Sequence, residues 1–270
     1  MTKRARVGQF PEPDGPPESD LDWDEVVDVI CVGAEPGPTA QAISGVRFGR
    51  EVIAVPRPQI WDTDTAAYVA EMTADPTPPE SGLQSPLTRA RPTEAEPARG
   101  HVIDTFVGAH LQDWARQCWA TPFGVLYTDV FGIDAAAMRT DEGLRIEAAV
   151  IGDYPSSAER SWPALAEWLA ARAREYDVQP DPGLSLQRLI IEYGRVAGAE
   201  LLSASGSLLV RAINGVALPS GGSDTAAPET DWAVGSDLGD VDLEVAIVGR
   251  PAGRFGRVEL LGRGGVIETE

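Results

Sequence analysis

Residues 28–58 read DVICVGAEPGPTAQAISGVRFGREVIAVPRP, and the order of elements in this stretch decides the fold class. The run Val29-Ile30-Cys31-Val32 is continuously apolar and stops on Gly33, the profile of a strand buried on both faces that feeds a tight turn. Small or apolar residues at positions 40, 42, 43 and 46 predict a helix over Thr39 to Phe48, with Gly49 as its stop. Glu51 to Val55 is a second buried strand, closed by Pro56 and Pro58. Strand, helix and strand in about thirty residues form a βαβ unit, whose crossover is expected to be right-handed. The expectation is an α/β fold built on a central parallel sheet.

Outward from this unit the chain divides by composition. Residues 1–25 hold Pro11, Pro13, Pro16 and Pro17 among acidic groups and read as a mobile leader. The acidic residues within 12–28 are a solvated leader or, alternatively, a docking tail. Thr63 to Thr73 suits a short helix capped by Thr63 or Asp64. Residues 75–100 contain six prolines and little that packs, and read as a long surface loop. Phe106, Val107, Leu111, Trp114 and Cys118 recur at helical spacing behind an Asp104 cap. Phe123 to Val130 and Leu144 to Ile151 read as strands joined by a turn region. Ser161 starts a helix with Pro163 in its first turn and Leu165, Trp168 and Leu169 on its buried side. From Leu186 the pattern turns to strands at 186–193, 196–202, 207–212 and 215–218, followed by a Gly/Ser/Thr/Pro loop at 220–236. Two last strands, 243–248 and 257–261, pair around Pro251 to Gly256. No solenoid-type repeat is present.

Composition removes whole classes of function. Apolar residues make up 43% and charged ones 24% of the 270 residues, a globular profile with enough chain for a sizeable core. Acidic side chains outnumber basic ones 42 to 22, giving a formal charge of −20 and a pI near 4.4. A phosphate backbone or an anionic lipid surface needs cationic partners, so neither is expected here. No run reaches the length of apolar chain that spans a bilayer. The basic start Met1 to Arg6 is followed by Pro11 to Asp28 where a signal peptide needs an apolar stretch, so a cytoplasmic location is expected. The cysteines are Cys31 and Cys118 and the histidines His101 and His110, too few for a disulfide framework or a structural zinc site. Lys3 is the sole lysine; that bias suits a GC-rich genome of actinobacterial type and names no function.

Two distant segments resemble one family. Residues 28–58 look like the opening βαβ of the FAD-dependent fumarate reductase, succinate dehydrogenase and 3-ketosteroid dehydrogenase superfamily. Residues 186–222, ending GRVAGAELLSASGSLLVRAINGVALPSGG, look like its meander, which opens on a Gly-Arg-Val turn and leads to a strand ending in a Thr-Gly-Gly-like sequence beside the flavin. The resemblance implies a Rossmann-like FAD domain in two segments, 26–74 and 160–222. It further implies a reduced α+β insertion at 101–159, with 223–270 left as a loop and a C-terminal hairpin. The implied parallel sheet joins 28–33, 51–55 and 215–218, with the meander to one side. The implied cofactor-binding positions are Gly33, Glu35, Gly37, Ser220, Gly221 and Gly222.

The departures set the functional expectation. A dinucleotide needs G-x-G-x-x-G after the first strand, so that backbone reaches the pyrophosphate and helix reaches strand. Gly33 keeps the first glycine, while Glu35 and Pro38 stand at the second and third, and Pro56 replaces the acid that would bind the ribose. Glu35 places a negative charge where a helix N-terminus attracts an anion, and its carboxylate can satisfy the helix dipole from within. Arg57 is expected at best to reach toward the adenosine end. The reading is a degenerate FAD-domain-like protein, without flavin, acting as a non-catalytic subunit or binding module. Its partner would be a catalytic oxidoreductase subunit or a second copy of itself. The alternative is a small FAD-dependent oxidoreductase for a hydrophobic substrate such as a steroid or acyl compound.

Other reactive side chains have bland readings. Cys31 is a buried small hydrophobe rather than a redox thiol. His101 and His110 are surface or satisfied histidines rather than bases, and Tyr127 and Tyr154 pack in strands rather than donate protons. Trp114, Trp119, Trp162 and Trp168 are core, or else an exposed face for a partner subunit.

Overall fold

Three residues of strand, β1 (Glu25–Val27), precede the βαβ unit, which forms as β2 (Val29–Val32), α1 (Pro36–Arg47) and β3 (Val52–Val55). A computed structural model describes residues 21–73, 77, 85–93, 107–129, 134–221 and 242–263, with backbone alone for 107–110 and 263. Helix α1 starts three residues before the expected Thr39 because Pro36 suits a first helical position, where no N–H is needed. The chain continues through α2 (Thr63–Met72), β4 (Leu87–Pro92), α3 (Val107–Trp119), β5 (Gly124–Tyr127), β6 (Ala136–Thr140), β7 (Arg145–Tyr154) and α4 (Trp162–Glu175). The remaining elements are β8 (Ser185–Glu192), β9 (Arg195–Ser203), β10 (Gly206–Ala212), β11 (Val216–Pro219), β12 (Leu243–Gly249) and β13 (Phe255–Arg263).

Strand β2 lies between β3 and β11 and runs parallel to both, with Ile30 opposite Ile53 and Val216 and Cys31 opposite Ala54 and Ala217. This brings 215–218 beside 28–33. The three strands expected to run parallel do so, at one edge of a mixed sheet rather than at its centre. The nine-stranded sheet runs β12-β7-β6-β4-β13-β5-β11-β2-β3, and beyond β11 its one other parallel pair among the described residues is β4 with β13. Because β12 pairs with both β7 and β13, strands β4, β6, β7, β12 and β13 close into a five-stranded barrel. Small barrels fill their interior by mixing small and large side chains, and Ala90, Ala148 and Ala246 supply small ones on a face shared with Ile146 and Val248. The meander β8-β9-β10 is antiparallel and forms a separate four-stranded sheet, with β1 parallel to β10 at its edge.

Two readings of the connecting segments also change. Leu87–Pro92, taken as surface loop, is strand β4; its prolines stand at positions a ladder tolerates, Pro92 at the strand end and Pro86 just before it, accepting from Leu260 N at 2.6 Å. Strand β6 carries no alternation that the sequence would reveal. Asp62, not Thr63 or Asp64, caps α2, accepting from the amides of Asp64 and Thr65 at 3.0 and 3.2 Å. Ser161 caps α4 through Ala164 N at 3.3 Å. Residues 1–20, Asp104 and 222–241 lie outside the described residues; within the expected leader, Trp23 packs at Gly198 on β9.

The core has two faces about the barrel strands. Ala149, Ile151, Val245, Ile247, Val258 and Leu260 pack with Ile43 of α1 and Leu165 and Leu169 of α4. Ile146, Ala148, Ala246, Val248 and Leu261 face the other way and meet Trp114 and Cys118 of α3. No helix among the described residues is long and apolar enough to cross a membrane.

Candidate functional site

The carboxyl ends of β2, β3 and β11 meet the N-terminus of α1, the crevice in which open α/β sheets place their ligands. Gly33 turns the chain at φ 102°, and its amide donates to Val55 O at 2.8 Å. A side chain there would collide with the Glu35 carboxylate, which folds back over the turn. Glu35 is the N-cap residue of α1, but its carboxylate makes no capping hydrogen bond. Instead Arg57 Nη1 donates to Glu35 Oε1 at 2.8 Å, and Arg57 Nη2 to Gly221 O at 3.3 Å. Arg57 therefore does offset Glu35, contrary to the expectation that it reaches at best toward the adenosine end. The stem of an arginine two residues past β3 is long enough to cross the strand ends, and a lone carboxylate on a partly buried turn is its natural partner. Glu35 Oε2 is buried and has no hydrogen-bond partner among the described residues.

The first turn of α1 offers an anion very little. Pro36 and Pro38 have no N–H, the Gly37 amide donates to Pro122 O at 3.1 Å, and Thr39 N donates to Glu35 O at 3.0 Å. A Cβ on Gly37 would fall on Gly124 O, and one on Gly124 would fall on Cys118 O and Ser220 Oγ. Ser220 Oγ in turn donates to Cys118 O at 2.8 Å. Of the expected cofactor positions, Gly33, Glu35, Gly37, Ser220 and Gly221 do converge, while Gly222 lies outside the described residues. They converge on each other and on the chain. A bound FAD needs free amides and an open approach at this turn, and the residues present do not fit it.

Beside the ion pair lies an open cavity of about 570 Å³, lined by Ala34, Glu35, Pro56, Arg57 and Pro180. A smaller one of about 200 Å³ lies between α2 and α3, with Met72, Trp119 and Phe255 in its wall. Among the described residues that line them, neither holds a nucleophile beside a base. Cys31 and Cys118 are buried, and burial pushes both thiols far above their usual range. Tyr127 is buried, donates to Gln41 Oε1 at 2.7 Å, and has its phenol pushed well up by desolvation. Tyr154 donates to Glu159 O at 2.7 Å. His101 and the side chain of His110 lie outside the described residues. Trp114 and Trp162 are core, while Trp168 is partly buried with Arg172 at 5.3 Å from its ring. Among the described residues no three metal-ligating side chains cluster.

A second polar group went unread in the sequence. Arg257 and Glu259 are 1% and 2% exposed and meet at 2.6 Å on the inward face of β13. Gln117 Oε1 accepts from Arg257 at 3.3 Å, and Thr88 Oγ1 donates to Glu259. Trp114 lies between cations, 4.2 Å from Arg250 and 5.2 Å from Arg257. Alternation of Arg257, Glu259 and Leu261 was the one available signal, and on its own it reads as a wet strand face.

No family model matches this chain, and no curated protein matches it. Solved structures overlap it in part. A 3-ketosteroid-Δ4-(5α)-dehydrogenase from Rhodococcus jostii RHA1 is 18% identical over 74% of this chain and 47% of its own, with a TM-score of 0.31. A flavocytochrome c3 fumarate reductase is 14% identical over 70% of this chain and 33% of its own, with a TM-score of 0.32. A geranylgeranyl bacteriochlorophyll reductase-like protein from Thermoplasma acidophilum is 14% identical over 88% and 57%, with a TM-score of 0.28. The chain thus spans half or less of the first two. Overlaps at this level carry no activity, substrate or partner over to it.

Proposed function

We propose that this chain is a degenerate FAD-domain-like protein that has given up flavin binding and works as a non-catalytic subunit or binding module. The observation that supports this best is the ion pair of Glu35 and Arg57, at 2.8 Å, closed across the turn where a diphosphate would lie. A diphosphate would have to displace Arg57 from Glu35 and then lie against the freed carboxylate, a repulsion of about 1 kcal/mol per charge pair in water and several times more in a partly dry site. Pro56 removes the ribose acceptor at the same time. The partner under this reading is a catalytic oxidoreductase subunit or a second copy of the chain, in the cytoplasm. The test is an absorbance spectrum of the purified protein, with mild co-purification to identify what travels with it. A colourless protein is the expected result, and stoichiometric flavin retained through purification overturns the reading.

The open cavity of about 570 Å³ at the ends of β2 and β3 favours a second reading. In it the chain is a small FAD-dependent oxidoreductase that holds its cofactor by a changed cradle and acts on a hydrophobic substrate. The same spectrum separates the two.

A further inference from the structure

The glycines at the head of α1 have a use that needs no ligand. Gly37 lacks a side chain where Gly124 O stands, and Gly124 lacks one where Cys118 O and Ser220 Oγ stand. We infer that the corner Thr121–Gly124, between α3 and β5, is the resident occupant of the cradle, with its carbonyl oxygens at the α1 N-terminus in place of a phosphate. This rests on the reading that flavin binding is lost and says what replaces the flavin. An N-terminal helix turn leaves amides without intrahelical partners, and these are what an anion would use. Two of the first three here are prolines, and the amide between them already serves Pro122 O at 3.1 Å.

The corner is anchored from three sides. Phe123 O accepts from Val258 N at 3.0 Å, and Ser220 Oγ ties the end of β11 to Cys118 O. Phe123 itself is fully buried, 4.6 Å from the Trp162 ring. Moving the corner aside would drag Phe123 into water and open the contact of α1 with β5. The Glu35–Arg57 pair is then only an outer layer. Replacing the residues that depart from the glycine pattern would clear that layer and leave the inner one in place.

Amide hydrogen exchange on the full chain tests the occupancy directly. The Gly37 amide is expected to exchange at least about 100-fold more slowly than an open amide; exchange at the open rate overturns the inference. FAD and ADP are then titrated, to about 1 mM, into the wild type and into Glu35→Gly/Pro38→Gly/Pro56→Glu, reading melting temperature and flavin fluorescence. Neither protein is expected to bind. Binding by the triple variant alone overturns the occupied cradle and leaves the loss of flavin by the natural sequence standing. Flavin retained by the wild type overturns both. Should the triple variant fail to fold, Gly37→Ala decides with the exchange data: loss of the folded state or a lowered melting temperature supports the contact with Gly124 O, and an unchanged one overturns it.

Discussion

At the head of α1, Glu35 and Arg57 meet at 2.8 Å with 24% and 21% of their side chains exposed; beneath α3, Glu259 and Arg257 meet at 2.6 Å with 2% and 1% exposed. The same two residue types thus make one contact at a mouth and another inside a closed barrel. At the mouth the charges keep part of their water, so the pair contributes little net stability and can exchange partners. Inside the barrel both charges have left water, and each depends on the other to remain buried. Gln117, Thr88 and the ring of Trp114 complete that inner group. The difference separates what each pair does. The outer one lies partly in water across the turn, and the inner one holds β13 under α3.

Glu259→Ala should therefore produce the largest effect, about 3–5 kcal/mol lost in urea unfolding, because Arg257 is then left buried without its carboxylate. Replacing both members together, as Arg257→Met/Glu259→Leu, should cost much less, since no charge is then stranded. A single substitution costing under about 1 kcal/mol would place the inner pair in the same class as the outer one.

The contrast also explains what the sequence discloses. Val29 to Val32 and Val52 to Val55 are short apolar runs joined by a helix-spaced segment, so the β2–α1–β3 unit is local and legible. So is the meander, because Gly194 and Gly206 mark its turns and its strands pair with their neighbours in order. The barrel is closed by β12 with β7 and by β4 with β13, partners about 90–100 and 170 residues apart, and no local pattern announces such pairings. At the candidate site, Glu35, Pro38 and Pro56 are visible as departures from a pattern. Arg57 and the corner at Pro122 are not, because their role is set by which strand ends the fold brings together.

Tyr127 belongs to the core beside the mouth, and its expected effect is intermediate. Tyr127→Phe removes the hydrogen bond to Gln41 and should cost about 1 kcal/mol. Desolvation holds the phenol well above its usual range, so an absorbance titration of the native protein should show no ionisation of this tyrosine near pH 10. A phenol ionising there in the folded state would mean that the site opens to water, and would bring Tyr127 back as a proton donor.

The outer pair should show a smaller effect again. A double-mutant cycle with Glu35→Gln and Arg57→Ala should return a coupling of about 0.5 kcal/mol that shrinks in high salt. A coupling above about 3 kcal/mol, insensitive to salt, would make the pair a structural element like the one in the barrel.

The smallest effect belongs to a third pair, the most open of the three. Arg50 grips Asp134 with two hydrogen bonds of 2.8 and 2.7 Å, at side-chain exposures of 37% and 20%. That hydrogen bonding, helped by the charge of Arg50, holds the Asp134 carboxyl below the usual carboxylate range. A carboxyl whose folded pKa is depressed stabilises the fold above its unfolded pKa, about 3.9 for Asp, and loses that contribution as pH falls through the folded value. Urea unfolding of the wild type and Asp134→Asn should thus differ slightly and equally at pH 7 and pH 6, and the gap should narrow as the pH drops below about 4. High salt should narrow it at neutral pH as well. A gap of the same size at pH 3 and pH 7 would show that geometry rather than charge carries this contact, and would break the ordering of the three pairs by exposure.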